Sequence, residues 1–254
     1  MKLILTILLG LQLAACSSSG GKDGNVQQEH AVDKKASARI HTELAAVYYE
    51  QKQYSVALDE LKQALDMNGK YAPAYGVRGL VYMSLKEDRK AEEDFERSLD
   101  LDGKDSGTRN NYGWFLCQRG REKESMEQFM EAVRNPLYAT PEKAFLNAGL
   151  CSKKFGKLKE AEAYLKKALS IQPKMTEALV GMAELGFLKA DYAAAKTFFL
   201  RLSLNGAELS AADLLLAARV ERKLGDKNAE ASYKLQLRKR FPESRETQLM
   251  LSGE

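Results

Sequence analysis

Histidine is nearly missing from this 254-residue chain: only His30 and His41 occur. With so few imidazoles, a histidine-based metal centre or proton relay has little to build on. His41 occupies a place usually taken by a bulky interhelical residue, so packing is its expected role. Proline is scarce as well, with five in all, which permits long uninterrupted helices. Cysteine is limited to Cys16, Cys117 and Cys151, and no His/Cys/Asp cluster has metal-ligand spacing. Neither a glycine-rich phosphate loop nor a nucleophile elbow is present. These absences argue against an enzyme, a metal, a cofactor and a small-molecule substrate. Neither charge dominates: 39 basic residues face 35 acidic ones. No basic stripe carries interleaved aromatics, which argues against nucleic acid as a partner. A hydrophobic content of 44% fits a folded chain.

The first residues read as an address. Lys2 supplies a positive start, and Leu3 to Leu13 form an apolar run too short to span a bilayer. Leu13-Ala14-Ala15-Cys16 follows and resembles a bacterial lipobox. The resemblance implies that residues 1–15 are a signal peptide, removed before Cys16, and that Cys16 carries lipid. Ser17 is not the Asp that retains such proteins at the inner membrane. The expected place is therefore the periplasmic face of the outer membrane. No second run of spanning length follows, so lipid is the expected membrane attachment. Residues 16–37 then read as the lipidated Cys and a flexible linker, opening with Ser17-Ser18-Ser19-Gly20-Gly21.

What the chain does have is a period. Ala57 and Ala91 stand 34 residues apart, and Ala161, Ala195 and Ala229 continue at that spacing. Ser125 fills the middle place, and two extra residues precede Ala161. Twelve residues before each of these is another small residue: Ala45, Gly79, Gly113, Gly149, Ala183 and Ala217. Four residues after each is a large one: Leu61, Phe95, Phe129, Leu165, Phe199 and Tyr233. Small residues let helices approach closely and large ones fill the adjoining gap. The period and this alternation resemble the tetratricopeptide repeat.

The expected fold is all-α: a right-handed superhelical solenoid of six tetratricopeptide helix pairs, 38–71, 72–105, 106–139, 142–175, 176–209 and 210–243. Pro73, Pro141, Pro173 and Pro242 fall at repeat boundaries. A longer loop is expected around Asn135-Pro136 and Thr140-Pro141. Leu44, Val47 and Tyr48 are expected to form the apolar face of the first helix. Repeats five and six drift, with Leu202 and Leu237 where Ala or Ser stood before. Residues 244–254 either fray or extend a capping helix.

In repeats of this type the second, fifth, ninth, twelfth and thirteenth places face a concave groove. The resemblance thereby assigns Tyr49, Leu80, Met83, Asn110 and Trp114 to that groove. Aromatic anchors there supply binding energy and an exposed Asn amide satisfies a partner's backbone. The alternative is that Tyr49 and Trp114 are ordinary core residues. Lys153 and Lys154 either face an acidic partner or form a solvated face, and Glu92-Glu93-Asp94 is most simply solvated. Cys117 and Cys151 fall on neighbouring first helices. They can meet as a disulfide, which the periplasm favours, or remain two buried thiols.

Lipobox, linker, about six repeats and the segment Asn110-Asn111-Tyr112-Gly113-Trp114-Phe115-Leu116-Cys117 together resemble the type IV pilus biogenesis and stability lipoproteins, the pilotins of the outer-membrane secretin. The resemblance covers essentially the whole mature chain. It implies a noncatalytic role with the secretin as partner: delivering its subunits to the outer membrane or helping them form a ring. It also implies a Cys117–Cys151 disulfide, present in some members. The alternative is a repeat lipoprotein that brings peptidoglycan hydrolases or other envelope complexes together.

Overall fold

A computed structural model describes residues 22–253. The signal segment, the lipobox and Cys16 lie outside the described residues. Thirteen helices make up the regular structure among those described. Six pairs follow the repeat windows: α1 (Lys22–Glu50) with α2 (Tyr54–Met67), α3 (Ala72–Ser84) with α4 (Asp88–Leu101), α5 (Ser106–Gln118) with α6 (Glu122–Arg134), α7 (Pro141–Lys154) with α8 (Leu158–Ile171), α9 (Thr176–Leu188) with α10 (Tyr192–Leu204), and α11 (Ala211–Leu224) with α12 (Lys227–Arg240). A last helix, α13 (Arg245–Ser252), closes the chain.

The small-against-large alternation is realised inside each pair. A Cβ added at Gly79 would stand 2.8 Å from the Phe95 ring, and one at Gly113 the same distance from the Phe129 ring. Ala57, Ala91, Ser125, Ala161 and Ala195 are fully buried, as are Leu61, Phe95, Phe129 and Leu165. Successive pairs then stack through Phe95, whose ring centroid lies 5.6 Å from Tyr112 and 5.8 Å from Phe115 of the next repeat. This is nearest-neighbour packing, each repeat touching the one before and the one after.

Turns between paired helices are tight and share one geometry. Lys52, Lys86 and Ala190 take positive φ at the same place where Gly120 and Gly156 do so without a side-chain penalty. The inserted residues give the expected longer loop from Asn135 to Thr140, in which the Asn135 carboxamide oxygen accepts from the Leu137 N–H at 3.0 Å. Pro141 then opens α7 at a place where its missing N–H costs nothing.

Three expectations change here. Helix α1 starts at Lys22, so helix occupies most of the stretch read as flexible linker. Nothing in residues 22–37 breaks a helix: after Gly24 the segment contains neither Gly nor Pro. Leu44 and Val47 do not form the inward face of α1. That face is Ala38, Thr42 and Ala45, with Tyr48 and Tyr49 packed beside them. In repeat six the register slips by one residue: Gln236 is exposed and Leu237 is fully buried, while Leu202 is buried at the regular place.

The C-terminal residues form a cap. Ser244 accepts from the Thr247 N–H at 3.1 Å and starts α13. The Thr247 hydroxyl donates to the Phe241 carbonyl at 2.7 Å, and Met250 enters the core of the last repeats.

Candidate functional site

The surface along the first helices can be built from the repeat register. In repeats three to five the third, seventh and tenth places turn toward the preceding repeat. In repeat three these are Thr108, Tyr112 and Phe115, all buried. Thr108 lies 3.4 Å from Ser98 of the preceding repeat, and Tyr112 donates to Glu92 and Glu96 there, both at 3.2 Å. Burial and the two carboxylates push the Tyr112 phenol well above its ordinary range. In repeat one the same places hold Ile40, Leu44 and Val47. Among the described residues no repeat precedes them, and they stand between 42% and 50% exposed. The result is an apolar stripe on α1 that the rest of the fold would normally cover.

A second regularity surrounds it. Just after the first helices of repeats three, four and five, a cation reaches back to a carboxylate of the preceding second helix. Arg119 holds Asp88, Arg121 holds Glu92, Lys157 holds Glu122 at 2.7 Å and Lys189 holds Glu162 at 2.6 Å. Arg119 depresses the carboxyl of Asp88, and Lys166 together with Lys189 depresses that of Glu162 to about 2. Repeat one carries Gln51 and Gln53 at the two places these cations occupy. The open end of the solenoid thus presents three apolar side chains in the pattern of an unfilled repeat junction.

The residues assigned to the concave groove pack in successive clusters. Tyr49 packs in the first cluster, Leu80 and Met83 in the second, and Trp114 against Cys117, Phe129, Ala148 and Cys151. All four are half-buried, and the Tyr49 phenol oxygen accepts from Ser84 at 3.4 Å. Asn110 is not the exposed amide expected of a groove rim. It is 7% exposed, and its Oδ1 accepts from Asn147 Nδ2 at 3.0 Å across the repeat boundary. Lys153 and Lys154 are also engaged within the fold. Lys153 pairs with Glu184, and Lys154 donates to the Cys117 carbonyl at 3.1 Å. Asp94 is buried rather than solvated, held in two hydrogen bonds from Arg78 at 2.7 and 2.8 Å. His41 takes a polar part in packing, its Nδ1 lying 2.7 Å from Glu60.

Cys117 and Cys151 are joined as a disulfide, with their Cα atoms 6.0 Å apart, and both are fully buried. The bond links α5 to α7, so repeats three and four are held covalently as well as by packing. Among the described residues no group of three or more His, Cys, Asp or Glu is arranged to hold a metal ion. No helix among them is long and apolar enough to cross a membrane.

Comparison with known proteins agrees with this architecture. Tetratricopeptide-repeat profiles match residues 72–105 and 154–218. The chain is 28% identical to the type IV pilus assembly protein PilF of Pseudomonas aeruginosa over 244 residues, covering 96% of this chain and 95% of that protein. A crystal structure of PilW, described as a widely conserved type IV pilus biogenesis factor, superposes with a TM-score of 0.78 at 37% identity, covering 84% of this chain and 98% of that one. The structure of Pseudomonas aeruginosa PilF gives a TM-score of 0.77 at 26% identity, over 87% of this chain and all of that one. A solenoid of six helix pairs, aligned nearly end to end with these proteins, belongs to the tetratricopeptide-repeat family of type IV pilus biogenesis factors.

Proposed function

We propose that this chain is a noncatalytic scaffold, anchored by lipid on Cys16 at the periplasmic face of the outer membrane, that binds secretin subunits and promotes their assembly into a ring. The observation that carries the binding site is the unfilled junction on α1. Ile40, Leu44 and Val47 occupy the places that Thr108, Tyr112 and Phe115 fill against α4. An amphipathic helix of the secretin can take the place of the missing preceding helix, with a large apolar side chain where Phe95 sits in the next junction. Tyr49, Leu80, Met83 and Trp114 remain the candidate continuation of this surface along the groove.

The test compares two variants in detergent-solubilised envelopes, reading secretin capture and secretin multimers by blotting. Leu44→Lys with Val47→Lys leaves the core untouched and is expected to reduce capture roughly thirtyfold, the loss of about 2 kcal/mol. Trp114→Ala tests the groove, with a circular dichroism melt to show that repeat three still folds. If both variants melt like the parent and capture secretin equally, the site lies elsewhere. Recovery of a peptidoglycan hydrolase in place of secretin would support the adaptor reading instead.

A further inference from the structure

The outer faces of the second helices are charged along most of the solenoid. Asp59 and Lys62 stand there in repeat one, Glu93 and Glu96 in repeat two, Glu127 in repeat three and Lys166 in repeat four, all exposed. Helix α10 breaks the pattern. Its outward places hold Ala193, Thr197, Leu200 and Leu204, and Leu204 is 86% exposed. On the neighbouring α12, Leu235 is also exposed. In the slipped register of repeat six it takes the outward place that Leu200 holds in repeat five. A groove of about 320 Å³ separates α10 from α12, with Leu200 on one side and Arg240 on the other.

The apolar residues are bordered by positive charge. From Lys227 to Arg245 the chain carries six cations and only two carboxylates, Glu230 and Glu243. Glu230 is already engaged by Arg222 at 2.9 Å and Lys234 at 2.5 Å. Arg238, Lys239 and Arg240 are exposed and make no ion pair among the described residues. Leu204 and Leu235 stand outside the groove between α10 and α12, with no opposing wall to bind a peptide. They suit a soft boundary into which they can sink, and flanking cations suit anionic headgroups at that boundary.

We propose that the convex face of repeats five and six rests on an anionic lipid surface. Leu200, Leu204 and Leu235 enter the boundary between headgroups and acyl chains. Arg238, Lys239 and Arg240 hold headgroup phosphates. The contact is separate from the α1 stripe and from the groove, and secretin does not enter its test, so either proposal can fail alone.

The experiment places a polarity-sensitive dye on Leu204→Cys in the full chain. Cys117 and Cys151 are bonded to each other, and the unsubstituted chain labelled in parallel corrects for Cys16. Asp59→Cys, on the outer face of repeat one, is the control. With vesicles of phosphatidylcholine containing about one third phosphatidylglycerol, emission at position 204 is expected to shift to the blue, and at position 59 to stay unchanged. Pure phosphatidylcholine should give a much smaller shift. Arg238→Gln with Lys239→Gln should raise the anionic lipid concentration needed for half the shift by about 25-fold, each cation counting for roughly fivefold. An unchanged spectrum at position 204, or an equal shift at position 59, would overturn the proposal. So would a shift that grows with protein concentration in the absence of lipid, since a second copy would then be the occupant.

Discussion

The two ends of the solenoid meet solvent in opposite ways. At the C-terminal end α13 folds back over the last repeat, burying Met250 and Thr247, and the helix beneath it is largely polar on its outside. At the N-terminal end α1 runs past its repeat and leaves Ile40, Leu44 and Val47 uncovered. A repeat array needs a polar terminal face to stay soluble, and among the described residues only one end has one. On the proposed function the uncovered end is the interface for a partner, and the covered end a finished boundary. The difference lies in what precedes or follows each helix, because the side chains on α1 are of the same kind that other repeats bury.

The largest effect that separates these surfaces should come from one repeat place tested twice. Phe115→Ala removes a ring packed on Phe95 and should cost about 3–5 kcal/mol in denaturant unfolding. Val47→Ser at the same place of repeat one should change stability by less than about 0.5 kcal/mol. A cost above 2 kcal/mol for Val47→Ser would show that the stripe is covered within the free chain.

The next effect concerns the joint between the halves. Cys117→Ala with Cys151→Ala removes a crosslink spanning 34 residues and should lower stability by up to about 4 kcal/mol on chain-entropy grounds. Thiol counting on the oxidised, denatured chain should find neither of these cysteines free. Calorimetry of the double variant should show a broader transition, as the two ends uncouple. A single unbroadened transition at the parent temperature would mean that packing alone joins them.

A smaller effect is expected at the cap. Met250→Ala should cost about 2 kcal/mol and speed amide exchange in α11 and α12, while leaving α1 and α2 unchanged. Equal acceleration at both ends would indicate that the solenoid opens as one unit.

The smallest effect should be electrostatic. Glu162 is held by Lys166 and Lys189, which lower its carboxyl from 4.5 to about 2. Such a depressed acid stabilises the fold above its unfolded value and loses that contribution as pH falls toward 2. The pair is near the surface, so Glu162→Gln should cost below about 1 kcal/mol at neutral pH and nothing at pH 2. Urea midpoints at the two pH values would measure this, and an equal loss at both would assign the effect to packing.

Much of this architecture was legible in the spacing of a few residues. Ala57 to Ala195 mark the helix pairs because a buried contact between a small and a large side chain leaves a direct trace at each of the first five repeats. The turns were less visible, since Lys52, Lys86 and Ala190 adopt a backbone form that Gly120 and Gly156 announce. Partnerships across repeats left no local trace. Asn110 meets Asn147 and Lys153 meets Glu184 only once the superhelix is formed, so both read as exposed polar residues beforehand. The stripe on α1 was misread for a related reason. Leu44 and Val47 have the periodicity of core residues, and they are exposed because no repeat stands before them among the described residues. The capping helix had a usable signal in Ser244 followed by Thr247, a serine able to receive the third N–H of a helix.

The loop from Asn135 to Thr140 gains a particular property from where it sits. Leu137 is 89% exposed there, which makes the loop a ready site for a protease. The loop lies wholly between Cys117 and Cys151, within the ring that the disulfide closes. A cut at that point severs the backbone yet leaves both pieces in one molecule. The nicked chain migrates as intact until a reductant is added, and then parts into two fragments of nearly equal size. Damage at the most accessible loop is thereby held in place by the buried bond beside it.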